Sequence, residues 1–184
     1  SQPGRHNAEN AALAVAMCEV LGADLERVAD ALPNFRGVHR RLERVGERHG
    51  VTIIDDYAHN PAKIAASWRA VAETAKHVWG YWRPHGFAPL ALMKDELADS
   101  FAQVCRPGDH LFLLPVFYAG GTAQRTITSE DFAAMLRARG VAAEAVSDYP
   151  ALAAGLAGAQ AGDAILGMGA RDPELPRFAR SLAG

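Results

Sequence analysis

The chain has 184 residues, 49% of them hydrophobic, and a formal charge of −2, which suits one full domain with something extra, or two small ones. That balance, with no Lys/Arg block, argues against a nucleic-acid or polybasic membrane surface, and no apolar run approaches the ~20 residues of a membrane span. Cys18 and Cys105 are its only cysteines; far apart and without CxxC or CxxH spacing, they speak against a disulfide framework or zinc site and for a reducing, cytoplasmic setting.

The polar start from Ser1 to Asn7 has no signal-peptide core and reads as a loop cut from something longer. Asn7 to Leu21, rich in Ala, Leu, Val and Met, predicts a helix with Gly22 as its stop. Asp24 caps a second short helix through Ala31, ending before Pro33. Turn formers and charge from Asn34 to His39 predict a linker, with a domain boundary near residue 38. Two helices alone bury little surface, so residues 1–38 are expected to belong to a domain whose body lies elsewhere.

From Arg40 onward strands and helices alternate. Leu42–Arg48 and Val51–Ile54 flank His49-Gly50 as a hairpin. Lys63–Ala75 is helical, with Ile64, Trp68 and Val71 on one face. His77–Tyr81 is a weak strand, Asp95–Cys105 a helix, and Leu111–Val116 a buried strand. Thr128 or Ser129 caps a helix to about Arg139. Val141–Val146 is a strand, Pro150–Ala159 a helix, Ala164–Met168 a strand and Pro173–Leu182 a closing helix. The fold class is therefore α/β: a Rossmann-like, mostly parallel sheet with helices on both faces, preceded by two helices of another domain.

In such a sheet, residues just past the carboxyl ends of the strands share one rim, where ligands are held. Four tips fall there: Asp55-Asp56-Tyr57-Ala58-His59, Trp82 to Phe87, Phe117 to Gly121, and Gly167 to Asp172. Carboxylates, imidazoles, arginines and glycines converging on one edge suit an anionic ligand, because Arg pairs phosphate or carboxylate bidentately and Gly permits close backbone approach. Blander roles compete. Asp55 is as readily a helix cap as a site, His85 a surface loop residue, and Arg171-Asp172 an ion pair or cap. Gly120-Gly121 is a turn first, and Trp68, Trp79 and Trp82 read as packing.

Five motifs in order carry a resemblance: Gly4 to Ala12 (Gly-Arg-His-Asn-Ala-Glu-Asn-Ala-Ala), Phe35-Arg36-Gly37, Arg40-Arg41-Leu42-Glu43, Asp55 to Pro61, and Arg83-Pro84-His85. Together they resemble the Mur ligases, ATP-dependent enzymes that build the peptidoglycan peptide stem on a UDP-sugar. The paired Asp and the Arg-Arg-Leu-Glu run are most similar to the branch that adds alanine, or a recycled tripeptide, to UDP-N-acetylmuramate. The likeness covers the whole chain but only the back half of such an enzyme. It implies that residues 1–38 are the last helices of a central ATPase domain plus linker, and 39–184 the C-terminal domain that binds the amino acid or peptide.

The resemblance assigns roles by position. His6, Asn7 and Asn10 match contacts to adenine, and an Asn amide offers a base edge both donor and acceptor. Arg41 matches the arginine that reaches the ATP phosphates, and Asp56 the carboxylate on the ribose side. Tyr57, His59 and His85 match positions around the nucleotide and the incoming amine, with Arg41 and His59 as the catalytic pair. Asn60 stands where the alanine-adding branch usually has a second His. Gly86 and Pro89 stand where it has arginines, so Arg83 is expected to substitute as anchor for the incoming carboxylate, and the amine itself is open.

ATP and Mg2+ are the implied cofactors, with the main metal ligands and the phosphate-cradling loop upstream, since GxxxxGK[ST] does not occur in the chain. UDP-N-acetylmuramate and an amino acid or peptide are the implied substrates, and the missing domains the implied partners, with no nucleic acid or membrane. The fragment alone is expected to be inactive. In the full-length protein, Asp56→Ala and Arg41→Ala are each expected to cut turnover with the fold intact. The alternatives are a Mur-like ligase of polyglutamate or cyanophycin type, or a non-catalytic nucleotide-binding module.

Overall fold

The computed structural model describes residues 4–118, 120 and 124–184, with His6 described by its backbone alone. Helices α1 (Arg5–Val20) and α2 (Leu25–Ala31) come first, α2 capped by the Asp24 carboxylate, which accepts from the Glu26 N–H. They pack on each other, and no side chain described in either is buried. Leu13, Met17, Val20, Leu21 and Phe35 are each more than half exposed.

Next come β1 (Glu43–Arg48), β2 (Val51–Asp56), α3 (Pro61–Ala72), β3 (Val78–Arg83), α4 (Phe87–Val104) and β4 (His110–Leu113). The chain ends with α5 (Ser129–Ala138), β5 (Ala143–Ala145), α6 (Tyr149–Leu156), β6 (Ala164–Gly169) and α7 (Glu174–Ala183). The sheet runs β1-β2-β6-β3-β4-β5. β1 pairs antiparallel with β2 across His49-Gly50, whose φ of 51° and 78° suit a tight hairpin turn; the other pairings are parallel. This is the expected α/β sheet.

Its two faces bury separate cores. Trp68 and Ile64 of α3, Leu97 and Phe101 of α4, and Phe132 of α5 pack with Trp82 and Leu166 on one face. Leu152 and Leu156 of α6 and Leu175 of α7 pack with Ile53, Tyr81 and Ile165 on the other. The adjacent pair Tyr81 and Trp82 splits between them, as period-2 alternation requires. Gly80 is where the Trp68 ring lies against the sheet: a methyl there would overlap the indole. The indole N–H donates to Asp109 at 3.0 Å, which also accepts the Val78 N–H at 2.8 Å and so ties the helix to the strand ends.

Several boundaries differ from expectation. Helix α4 starts at Phe87 rather than Asp95, because Pro89 falls in the first turn, where a backbone N–H has no intrahelical partner to lose. β5 shrinks to Ala143–Ala145, with one pairing partner at the sheet edge. β2 extends through Asp55 and Asp56, since antiparallel pairing with β1 and parallel pairing with β6 hold it from both sides. Both aspartates are thereby drawn into the sheet instead of standing beyond it.

Candidate active site

The strand order brings three of the expected tips together. β2 and β3 flank β6, so Asp55 to His59, Arg83 to His85 and Gly169 to Asp172 are neighbours. Of the third expected tip, Ala119 and Gly121 lie outside the described residues, while Phe117 bridges to His85.

Arg40 and Asp55 form the buried base of this rim. The Arg40 Nε donates to Asp55 at 2.9 Å, and one terminal nitrogen donates to the Gly169 carbonyl at 2.8 Å. Burial pushes the Asp55 carboxyl up from its ordinary value, opposed by the Arg40 charge. Asp55 is therefore an ion-pair partner and not a helix cap. Arg40 also lies over the Tyr57 ring, 5.0 Å from its centre. From there the aromatic contacts continue, Tyr57 to His59 at 5.6 Å and His59 to His85 at 5.1 Å between ring centres.

His59 has its Nδ1 2.9 Å from the Tyr57 carbonyl. A carbonyl only accepts, so Nδ1 carries the proton, and a neutral His59 has Nε2 as an acceptor without a partner among the described residues. His85 has its pKa lowered by burial, then by His59, then by Arg171. It stays uncharged where an ordinary imidazole would begin to protonate.

Arg41 is exposed, and among the described residues its side chain makes no ion pair or hydrogen bond. Its flanks are held tightly. Arg40 and Leu42 sit at φ 56° and 46°, a left-handed region that costs a non-glycine residue roughly 1–2 kcal/mol. The Tyr57 N–H donates to the Arg40 carbonyl and the Leu42 N–H to Asp56. A strained segment held from both sides thus presents one unpaired guanidinium to solvent.

Three expected site residues have partners within the protein. Asp56 faces inward: it accepts from Leu42 N–H at 2.7 Å, Ala58 N–H at 2.7 Å and Ser67 Oγ–H at 3.1 Å. Those donors fill most of a carboxylate's lone-pair sites, so Asp56 clamps the main chain at Leu42 and Ala58. Arg83, expected to anchor an incoming carboxylate, is already paired with Asp172 and donates to the Pro115 carbonyl at 3.1 Å. Asn60 caps α3, accepting the Lys63 N–H at 3.0 Å. Asp172 also accepts from Tyr149 and from the N–H of Glu174, the first residue of α7, and it is a buried ion-pair partner whose arginine is Arg83 and not the adjacent Arg171. On α1, Asn7 is half-buried and Asn10 exposed; the His6 side chain lies outside the described residues.

Ser67 and Tyr149 were not legible as parts of this rim, because each arrives from a helix with no motif around it.

A family model described as Mur ligase, glutamate ligase domain, matches residues 40–171. The chain belongs to this family. The matched span covers the sheet from the strained Arg40 segment to Arg171, with every tip of the rim inside it except Asp172 at the end of the last one. The UDP-N-acetylmuramate–L-alanine ligase of Azorhizobium caulinodans is 38% identical to this Mur ligase domain over 173 residues, covering 91% of the chain and 36% of the relative. The protein of the same name from Rhodopseudomonas palustris is 37% identical over 185 residues, covering 99% and 38%. Among solved structures, the UDP-N-acetylmuramate–alanine ligase of Thermotoga maritima superposes with a TM-score of 0.74 at 27% identity, covering 97% of the chain and 37% of that protein. The chain therefore spans little more than a third of the length of these relatives.

Proposed function

We propose that the chain is the C-terminal part of an ATP-dependent ligase that joins an amino acid or peptide amine to the carboxylate of UDP-N-acetylmuramate through an acyl phosphate, in the cytoplasm. On this reading residues 1–38 are the end of a central ATP-binding domain, whose body would cover the apolar side chains that α1 and α2 expose. His6, Asn7 and Asn10 would meet the adenine there.

One observation carries the reading: the carboxyl edge of a Mur ligase domain carries both an unpaired guanidinium, on a strained and doubly held segment, and two imidazoles in ring contact with each other. ATP supplies the phosphoryl group that activates the sugar's carboxylate. Arg41 fits phosphate oxygens because its donors are free and its main chain is fixed, so positive charge waits where negative charge accumulates. The Nε2 of His59 accepts a proton from the incoming ammonium, leaving the lone pair that attacks the acyl carbon; phosphate then departs. Uncharged His85 keeps a second positive charge away from that ammonium. Magnesium does not fit the rim itself, since Asp55, Asp56 and Asp172 are taken up by protein donors; its ligands belong upstream.

The test is phosphate release by the full-length protein containing this chain, given ATP, UDP-N-acetylmuramate and either L-alanine or a tripeptide. Amine-dependent release that disappears in Arg41→Ala is the expected result. Release that is independent of the sugar nucleotide would overturn the substrate assignment, and amide formation by the 184-residue chain alone would overturn the division of labour.

A further inference from the structure

A cavity of about 550 Å³ opens at the carboxyl ends of β4 and β5 and is lined by Phe87, Val116, Tyr118, Arg125 and Val146, among others. Phe87 and Tyr118 form its aromatic wall, their ring centres 5.5 Å apart. The Arg125 guanidinium carbon lies 5.6 Å from the Phe87 ring centre and 5.7 Å from that of Tyr118. Cation–π contact holds the plane of a guanidinium and leaves its edge N–H groups free for a bidentate partner. No carboxylate reaches them among the described residues. Glu130, the acid that lines the cavity, is bound to Arg137 at 2.9 Å.

A ligand for this space needs an anionic end for Arg125 and an apolar body for Phe87, Val116 and Val146. We propose that the cavity is the carboxylate subsite for the amine substrate, with Arg125 pairing the far carboxylate of a short peptide. The proposal rests on the ligase reading above. It supplies the anchor that Arg83, locked to Asp172, does not provide.

Size and spacing favour a peptide over alanine. Free alanine occupies roughly 100 Å³, three to four times the volume share of a water molecule, a small part of the cavity. The imidazoles stand at the tips of β2 and β3, whereas Tyr118 follows β4. β2 and β4 are separated by β6 and β3, three spacings or about 14 Å. One residue spans about 3.5 Å, so an amine near His59 and a carboxylate at Arg125 need about three to four residues between them.

The experiment is an NMR titration of the 15N-labelled chain with trialanine and with trialanine amide. Trialanine is expected to move the Arg125 Nε–H resonance and the amides of Phe87, Tyr118 and Val146. The amide form and the Arg125→Gln variant are each expected to bind about tenfold more weakly, the loss of one charge-assisted pair. Arg125→Lys should lie between, and because Arg125 is exposed both variants should keep the wild-type thermal midpoint. No binding of trialanine, equal binding of acid and amide, or undiminished binding by Arg125→Gln would each overturn the proposal. The titration uses neither ATP nor sugar nucleotide. A full-length protein without ligase turnover but with this binding refutes the proposed function and spares the subsite; turnover without this binding refutes only the subsite.

Discussion

Leu42 donates its backbone N–H to the Asp56 carboxylate at 2.7 Å, which fixes the main chain on one side of Arg41, as the Tyr57 N–H to the Arg40 carbonyl does on the other. Asp56 is thus a positioning residue for Arg41, and this revises what its removal should do. Asp56→Ala strips partners from two backbone N–H groups and the Ser67 hydroxyl at a buried site. Each unsatisfied buried donor costs ~1–3 kcal/mol, so the variant is expected to lose about 2 kcal/mol or more in urea unfolding, contrary to an intact fold. An unchanged urea midpoint would show that the clamp is unimportant.

Arg41→Ala is the opposite case. The side chain is exposed and unpaired among the described residues, so stability should stay within ~0.5 kcal/mol. Turnover of the full-length protein should fall by roughly a hundredfold or more, as for loss of a preorganised group facing developing charge. Paired urea melts and steady-state rates check both halves, and a variant that unfolds easily yet turns over normally would contradict both.

The Arg40–Asp55 pair should behave as a buried unit. Asp55→Ala leaves a guanidinium buried without its counter-ion, expected to cost ~3–5 kcal/mol. Removing both charges, Arg40→Met with Asp55→Ala, should recover a good part of that loss. A double-mutant cycle measures it; simple additivity would mean the pair is not coupled.

His85 supplies a pH signature. Its folded pKa lies below the ordinary imidazole value, through burial, His59 and Arg171. The unfolded chain therefore takes up a proton at higher pH than the folded one. His85's contribution to stability is complete above the unfolded value near 6.5 and falls as pH drops from there to its folded pKa, below which the loss levels off. NMR titration of the ring protons should give a midpoint below that of a model imidazole, and Arg171→Gln should raise it. A midpoint at or above the model value would contradict the arrangement.

Periodicity and turn chemistry made the order of strands and helices legible, because each element announces itself locally: Asn60-Pro61 starts α3, and His49-Gly50 closes the hairpin. Motif order made the family legible. Side-chain direction was not. Arg40 and Arg41 are the same residue type side by side; the backbone turn with positive φ at Arg40 accompanies one being drawn under β6 and the other left in solvent. Asp56, Arg83 and Asn60 stand on the expected rim, but each is claimed by a partner that the linear order keeps distant or whose geometry it does not show, as with Arg83 and Asp172.

The sequence by itself determined the α/β class, the rim of strand tips and membership of a Mur-type family, since alternation, capping and motif spacing are local properties of the chain. Only the tertiary structure decided which rim charges are spent internally and which are free. That depends on strand order: inserting β6 between β2 and β3 brings Gly169 to Arg40 and Asp172 to Arg83, ties those cations to partners, and leaves Arg41 and Arg125 facing outward.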